Sequence, residues 1–99
     1  TIVVTATDGT ASVTDTYDLT VTNTNDAPTV SSAISDASSA EDAAYSLDVS
    51  GNFADVDVGD TLSYAATGMP STLTMSTSGT ISGTPVNADV GTHTIIVTA

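Results

Sequence analysis

The stretch that decides the fold is Ser12-Val13-Thr14-Asp15-Thr16-Tyr17-Asp18-Leu19-Thr20-Val21-Thr22. Its large apolar side chains all share one parity, while threonines and an aspartate occupy the other. A period of two is typical of a β-strand with one buried face. Asp15 falls on the apolar parity, so we expect it near the end of the strand or at a bulge. The β-rich segment 1–6 and the turn signal Asp8-Gly9 predict a hairpin with this strand.

The rest of the chain repeats this short-strand pattern. Strands are predicted over 45–49, 62–66, 73–75, 80–82 and 92–99, with a weak or edge strand within 29–40. No stretch has the apolar period of an amphipathic helix, and turn signals recur every 8–12 residues or so, as in β-sandwiches. The chain of 99 residues has the size of one such domain. We therefore expect an all-β, immunoglobulin-like Greek-key β-sandwich of about seven strands.

The charge balance restricts function. The chain has no Lys or Arg, 12 Asp or Glu residues and a formal net charge of −12. Nucleic acid is an unexpected partner, because phosphate contacts need basic side chains. Membrane insertion is not expected either, because no apolar run exceeds three residues. Self-repulsion at this charge favours cation binding by the folded chain.

An acidic loop is predicted over 51–60. Within it, Asp55, Asp57 and Asp60 alternate with small or apolar residues and with Gly59. This spacing lets carboxylate oxygens converge on a hard cation, most simply Ca²⁺. The alternative is a loop of independently solvated carboxylates. A zinc site is not expected, because His93 is the only histidine and there is no cysteine.

The two ends of the chain nearly match. Thr1-Ile2-Val3-Val4-Thr5-Ala6 and Thr94-Ile95-Ile96-Val97-Thr98-Ala99 differ at one position. A repeat length of about 93 residues suits tandem sandwich domains. We therefore interpret the chain as a permuted window of a tandem repeat. Residues 1–23 are the C-terminal hairpin of one module, or a strand donated to a neighbour; residues 24–28 are a linker; and residues 29–99 are a sandwich module that lacks its last strand.

Several segments together resemble the dystroglycan-type cadherin-like repeat of bacterial surface proteins. The matching segments are Phe53–Asp57, Gly59–Tyr64, Gly79–Pro85, Val90–Thr92, Ala6–Gly9 and Asn25–Pro28. In cadherin-like folds, calcium lies at the junctions between successive domains. The resemblance implies an immunoglobulin-like fold and Ca²⁺ as the cofactor.

The resemblance also implies a set of ligands. Asn25 and Asp26 of the calcium-type linker would join Asp55 and Asp57 at the upstream end of the module. Asp8 would act at the equivalent end of the preceding module, and Glu41 at the downstream junction. Ordinary turn chemistry is an alternative explanation for Asp8, Asn25 and Asp26. Cadherins carry Asp at the start of the linker, whereas this chain has Asn23.

The sequence favours a calcium-stabilised structural repeat of a secreted or cell-surface bacterial adhesin, stalk or extracellular filament. Its expected partners are neighbouring copies of the same module. The alternative is a carbohydrate-binding module of a secreted polysaccharide-degrading protein, with cell-surface glycans as partners. Enzymatic activity is not expected, because no arrangement for nucleophilic catalysis and no phosphate-binding loop is recognisable.

Overall fold

The computed structural model describes residues 1–99 and is built from short strands. The strands are β1 (Ile2–Thr7), β2 (Ser12–Tyr17), β3 (Thr29–Val30), β4 (Tyr45–Asp48), β5 (Phe53–Ala54), β6 (Ala65–Thr67), β7 (Leu73–Met75), β8 (Thr80–Gly83) and β9 (Ile96–Thr98). Two 3₁₀ turns, Ser50–Asn52 and Asn87–Asp89, complete the secondary structure. No helix has the length and apolar character needed to cross a membrane. The all-β class is confirmed, and seven of the strands lie within 29–99.

All strand pairs are antiparallel and form four small sheets. The pairs β1–β2, β3–β5 and β6–β9 are two-stranded, and β4–β8–β7 is three-stranded with β8 at its centre. Residues of the three-stranded sheet and of β9 line one groove, and its apolar members include Leu47, Ile81 and Val97. Antiparallel sheets packed face to face are the arrangement of an immunoglobulin-like sandwich.

The first hairpin stands apart from this sandwich. The molecule measures 86 × 18 × 18 Å, and every residue of β1 and β2 is exposed. The hairpin pairs from Ile2 opposite Tyr17 to Thr7 opposite Ser12. Its turn therefore points away from the sandwich, because the chain leaves β2 at the opposite end and continues to β3.

Two sequence predictions about β2 are wrong. Asp15 pairs with Val4 in the middle of a continuous strand, without a bulge. Its carboxylate can lie on the same face as the apolar side chains because this face of the hairpin is exposed. The strand also ends at Tyr17 rather than at 22, and its pairing with β1 ends where Tyr17 lies opposite Ile2. There, Thr1 Oγ1 donates a hydrogen bond of 2.7 Å to Asp18 Oδ1.

Other strand limits also differ from the predictions. The strand β5 lies inside the segment predicted as a loop and pairs with β3. The strand predicted over 62–66 is regular only from Ala65, although Tyr64 N–H donates to the Thr77 carbonyl at 3.1 Å. The strand predicted over 92–99 is limited to β9, and each residue of β9 pairs with one residue of β6. In each case the partner strand sets the length.

The core is small and lies next to the acidic loop. Only five of the 99 residues are buried, and the apolar ones are Val49, Tyr64 and Ile81. The Tyr64 ring packs on Phe53 with centroids 5.7 Å apart and planes tilted by 60°, and its hydroxyl donates to the Ser50 carbonyl at 3.3 Å. A chain of this size normally buries more of its apolar surface. One side of the sandwich is therefore open.

Candidate metal centre

The acidic loop brings three carboxylates together. One oxygen from each of Asp55, Asp57 and Asp60 lies within 4.8 Å of the others. Calcium binds oxygen ligands at about 2.3–2.6 Å, so two ligands of one ion are separated by up to about 5 Å. The three side chains therefore fit a single calcium ion. They supply only part of the six to eight oxygens that Ca²⁺ takes.

The local backbone explains this convergence. The Asp57 N–H donates to Asp55 Oδ1 at 2.9 Å, which folds the loop back on its own side chain. The Asp60 N–H donates to the Asp57 carbonyl at 3.2 Å, closing a turn. Gly59 lies within this turn with φ +93°, a conformation that glycine adopts without strain.

Asp57 is the central residue of the cluster. It is only 5% exposed, and it is the one buried charged residue of the chain. Its Oδ2 accepts a hydrogen bond of 2.7 Å from the backbone N–H of Asp26. A buried carboxylate is costly unless a cation or several donors compensate it. The chain contains no Lys or Arg to serve as that cation.

The linker meets the cluster through its backbone. The hydrogen bond from Asp26 places the start of the module against the acidic loop. Asn25 Nδ2 donates to the Asp26 carbonyl at 3.2 Å, which is turn chemistry within the linker itself. The linker residues Asn25 and Asp26 are thus near the cluster, whereas the three converging carboxylates all come from the loop.

Asp8 and Glu41 lie away from this cluster. Asp8 Oδ1 accepts the N–H groups of Thr10 and Ala11 at 2.9 Å each, at the tip of the hairpin. These bonds hold the pKa of Asp8 below its ordinary value. Glu41 precedes β4, at the end of that strand opposite the acidic loop, and lines the groove. The structure does not bring either side chain to the cluster of Asp55, Asp57 and Asp60.

A polar network around Asp89 was not predicted from the sequence. Its Oδ2 accepts hydrogen bonds from Thr72 Oγ1 at 2.6 Å and from Val86 N–H at 2.9 Å. These bonds lower the pKa of Asp89, with a smaller contribution from nearby His93. The His93 ring nitrogen Nε2 lies 2.7 Å from the Asp89 carbonyl oxygen. The only available signal was the capping preference of Asp, which does not identify a partner as distant in sequence as Thr72.

Comparison with known proteins agrees with this architecture. Residues 27–99 match the family described as Putative Ig domain (He_PIG). The chain belongs to this family. The match supports an immunoglobulin-like repeat and includes the whole acidic loop. No curated protein and no solved structure was found to match the chain.

Proposed function

We propose that this immunoglobulin-like domain is a calcium-stabilised structural repeat of a secreted or cell-surface protein, of the dystroglycan-type cadherin-like kind. Within it, Asp55, Asp57 and Asp60 hold Ca²⁺ at the upstream end of the module. The bound ion neutralises carboxylates that otherwise repel one another, and so fixes the linker to the module. The function is mechanical, with no catalytic step.

The observation that carries this proposal is the buried carboxylate of Asp57 in a chain without basic side chains. Its single hydrogen bond to the linker leaves most of its acceptor sites for another donor or a cation. A divalent ion held by three carboxylates supplies the missing positive charge. Ligands from the linker or a preceding module would complete the coordination shell. The candidates are Asn25, Asp26 and a residue equivalent to Asp8.

The elongated shape suits a repeat that transmits orientation along an array. The hairpin and the sandwich lie along one axis of 86 Å, joined by the segment that contacts Asp57. Stiffening at this joint therefore changes the length of a multi-module chain. A wall-bound, stalk-like or filamentous protein outside the cell is the setting in which such stiffness and millimolar-range calcium affinities are useful.

X-ray scattering of a chain carrying tandem copies of residues 1–93, closed by residues 94–99, tests this function. We expect the maximum dimension to shorten and the distribution of distances to broaden when chelator removes Ca²⁺. The same chain with Asp57→Asn in every copy should show no response to chelator. A wild-type chain whose maximum dimension is unchanged by chelator would refute the stiffening role.

The carbohydrate-binding alternative is not favoured by the aromatic side chains. Sugar-binding platforms need exposed rings, but Tyr64 is buried against Phe53, and Tyr45 faces the groove. Tyr17, 53% exposed, is the one remaining aromatic residue and lies on the hairpin. Binding of an isolated module to a polysaccharide would favour this alternative.

A further inference from the structure

The chain enters the module along a short antiparallel ladder between β3 and β5. Thr29 lies opposite Ala54, and Val30 lies opposite Phe53. Two pairs do not fix a register by themselves, because a two-stranded sheet is marginally stable and a short ladder can slip. A further contact is therefore needed to hold this alignment.

The same register extends to the metal centre. Counted along both strands, residue 31 is opposite 52 and residue 26 is opposite 57, and hydrogen bonds join both pairs. Ser31 N–H donates to the Asn52 carbonyl at 2.8 Å, and Asp26 N–H donates to Asp57 Oδ2 at 2.7 Å. A slip of the ladder would move Asp26 away from Asp57. The contact between the linker and the acidic loop therefore depends on how β3 is aligned with β5.

The side chain of Asn52 bonds to the segment that leaves β3. Its Nδ2 donates to the Ser32 carbonyl at 3.1 Å, to Ser32 Oγ at 3.3 Å and to the Ala33 carbonyl at 3.3 Å. Carbonyl oxygens only accept hydrogen bonds, so the amide nitrogen of Asn52 has to face them. The Asn52 carbonyl also accepts the Ser32 N–H at 3.3 Å. Asn52 thus holds residues 32 and 33 with both its side chain and its backbone.

Asn52 is itself fixed to the core. Its N–H donates to the Val49 carbonyl at 3.0 Å, within the first 3₁₀ turn. Val49 is fully buried, and its own N–H donates to the Gly79 carbonyl at 2.8 Å. The segment after β3 is therefore joined through Asn52 to the buried centre of the sandwich.

We propose that the side-chain amide of Asn52 fixes the register of β3 and so positions Asp26 against Asp57. Asn52 is a positioning residue, because it makes no hydrogen bond to the three carboxylates and acts on them through the linker. Without its amide, the two pairs of the ladder remain but can slip. An aspartate at this position would have the same shape, but it would have no donor for the carbonyl oxygens of residues 32 and 33.

The alignment affects the metal centre through Asp57. Loss of the Asp26 N–H removes the single hydrogen bond that holds this buried carboxylate. A ligand that is no longer held by a neighbouring group binds a metal ion less tightly. Weaker Ca²⁺ binding is therefore expected when the Asn52 amide is lost. This consequence rests on the proposed function, whereas the alignment itself does not.

Amide hydrogen exchange of the full chain, measured by NMR in chelator, tests the alignment without metal. In Asn52→Ala, the amides of Asp26 and Ser31 should exchange about tenfold faster than in the wild type, because the hydrogen bonds to residues 32 and 33 are lost. The isosteric variant Asn52→Asp should show the same acceleration. The amides of β8 serve as the internal reference and should change less than about twofold.

The matched control is Asn87→Ala, which removes an exposed asparagine of the second 3₁₀ turn. It should leave the exchange rates of Asp26 and Ser31 unchanged. Unchanged exchange at Asp26 in Asn52→Ala would overturn the proposal. Equal acceleration in β8 would also overturn it, because the amide would then contribute only to general stability.

Calcium titration of the same variants tests the link to the metal centre. Asn52→Ala should raise the dissociation constant for Ca²⁺ about tenfold, and Asn87→Ala less than about twofold. Faster exchange at Asp26 with an unchanged dissociation constant would overturn the coupling to the metal. A wild-type chain that binds no Ca²⁺ would refute the proposed function, whereas the exchange rates would still decide whether Asn52 fixes the register.

Discussion

The carboxylate of Asp57 accepts a hydrogen bond of 2.7 Å from the backbone N–H of Asp26. This bond joins the acidic loop to the linker across 31 residues of sequence. It places a buried negative charge where the chain enters the sandwich. The junction is therefore sensitive to the charge state and ligands of a single side chain.

The first prediction concerns this buried charge in the absence of metal. In chelator, Asp57→Asn should stabilise the chain by about 1 kcal/mol, because it removes an uncompensated buried charge beside Asp55 and Asp60 while keeping an acceptor for the Asp26 N–H. Thermal and urea unfolding measure the effect.

The control for this prediction is Asp36→Asn, which changes the net charge equally at an exposed position outside the cluster. Its unfolding free energy should stay within about 0.5 kcal/mol of the wild-type value. A destabilised Asp57→Asn variant in chelator would show that the carboxylate is compensated without a cation.

The second prediction concerns acid. Hydrogen bonds lower the pKa of three carboxyl groups. The largest effect comes from the Ala11 N–H for Asp8, from the Ser50 hydroxyl for Asp48 and from the Thr72 hydroxyl for Asp89. A carboxyl group whose pKa is lower in the folded chain than in the unfolded chain stabilises the fold at pH values above its unfolded pKa, here 3.8. This stability is lost as the pH falls through the folded pKa. The stabilising contribution of these three carboxyls should therefore be lost as pH decreases below about 4, which by itself lowers the melting temperature.

Asp89→Asn separates one of these contributions. Below the folded pKa of Asp89 the wild-type carboxyl is also neutral, so the variant and wild type should converge at low pH. Above pH 5 or so the variant should melt at a lower temperature, because the bonds to Thr72 and Val86 lose their charge assistance. A constant difference across the whole pH range would contradict the assigned cause.

The third prediction concerns the small core. Val49 is fully buried, whereas Val58 is fully exposed on the acidic loop. Val49→Ala should cost about 2 kcal/mol, because it leaves a void between the two sheets. Val58→Ala deletes the same side-chain atoms at an exposed position and should lower the unfolding free energy by less than about 0.5 kcal/mol. Equal urea midpoints for the two variants would mean that the sheets do not pack around Val49.

The sequence predicts much of the fold because the relevant signals are local. Tyr45, Leu47 and Val49 alternate with polar residues, and β4 lies where this pattern places it. The turn signal Asp8-Gly9 likewise lies at the tip of the β1–β2 hairpin. Such short-range patterns fix which residues are extended and where the chain turns.

Features that depend on a distant partner were not predictable in the same way. The burial of Asp57 and its bond to Asp26 arise only when the linker folds against the loop. The strand β5 exists because Thr29 and Val30 pair with it. The position of Asp15 in mid-strand follows from its pairing with Val4 in an exposed hairpin. Sequence spacing gives the three carboxylates of the loop, but not their environment.

The most direct test is calorimetric titration of the chain with Ca²⁺, paired with thermal unfolding at constant ionic strength. We expect saturable heat of binding and a rise in melting temperature equivalent to about 2.7 kcal/mol when free Ca²⁺ is a hundred times its dissociation constant. Both effects should be lost in Asp57→Asn. The absence of binding heat together with an unchanged melting temperature in the wild-type chain would contradict the account.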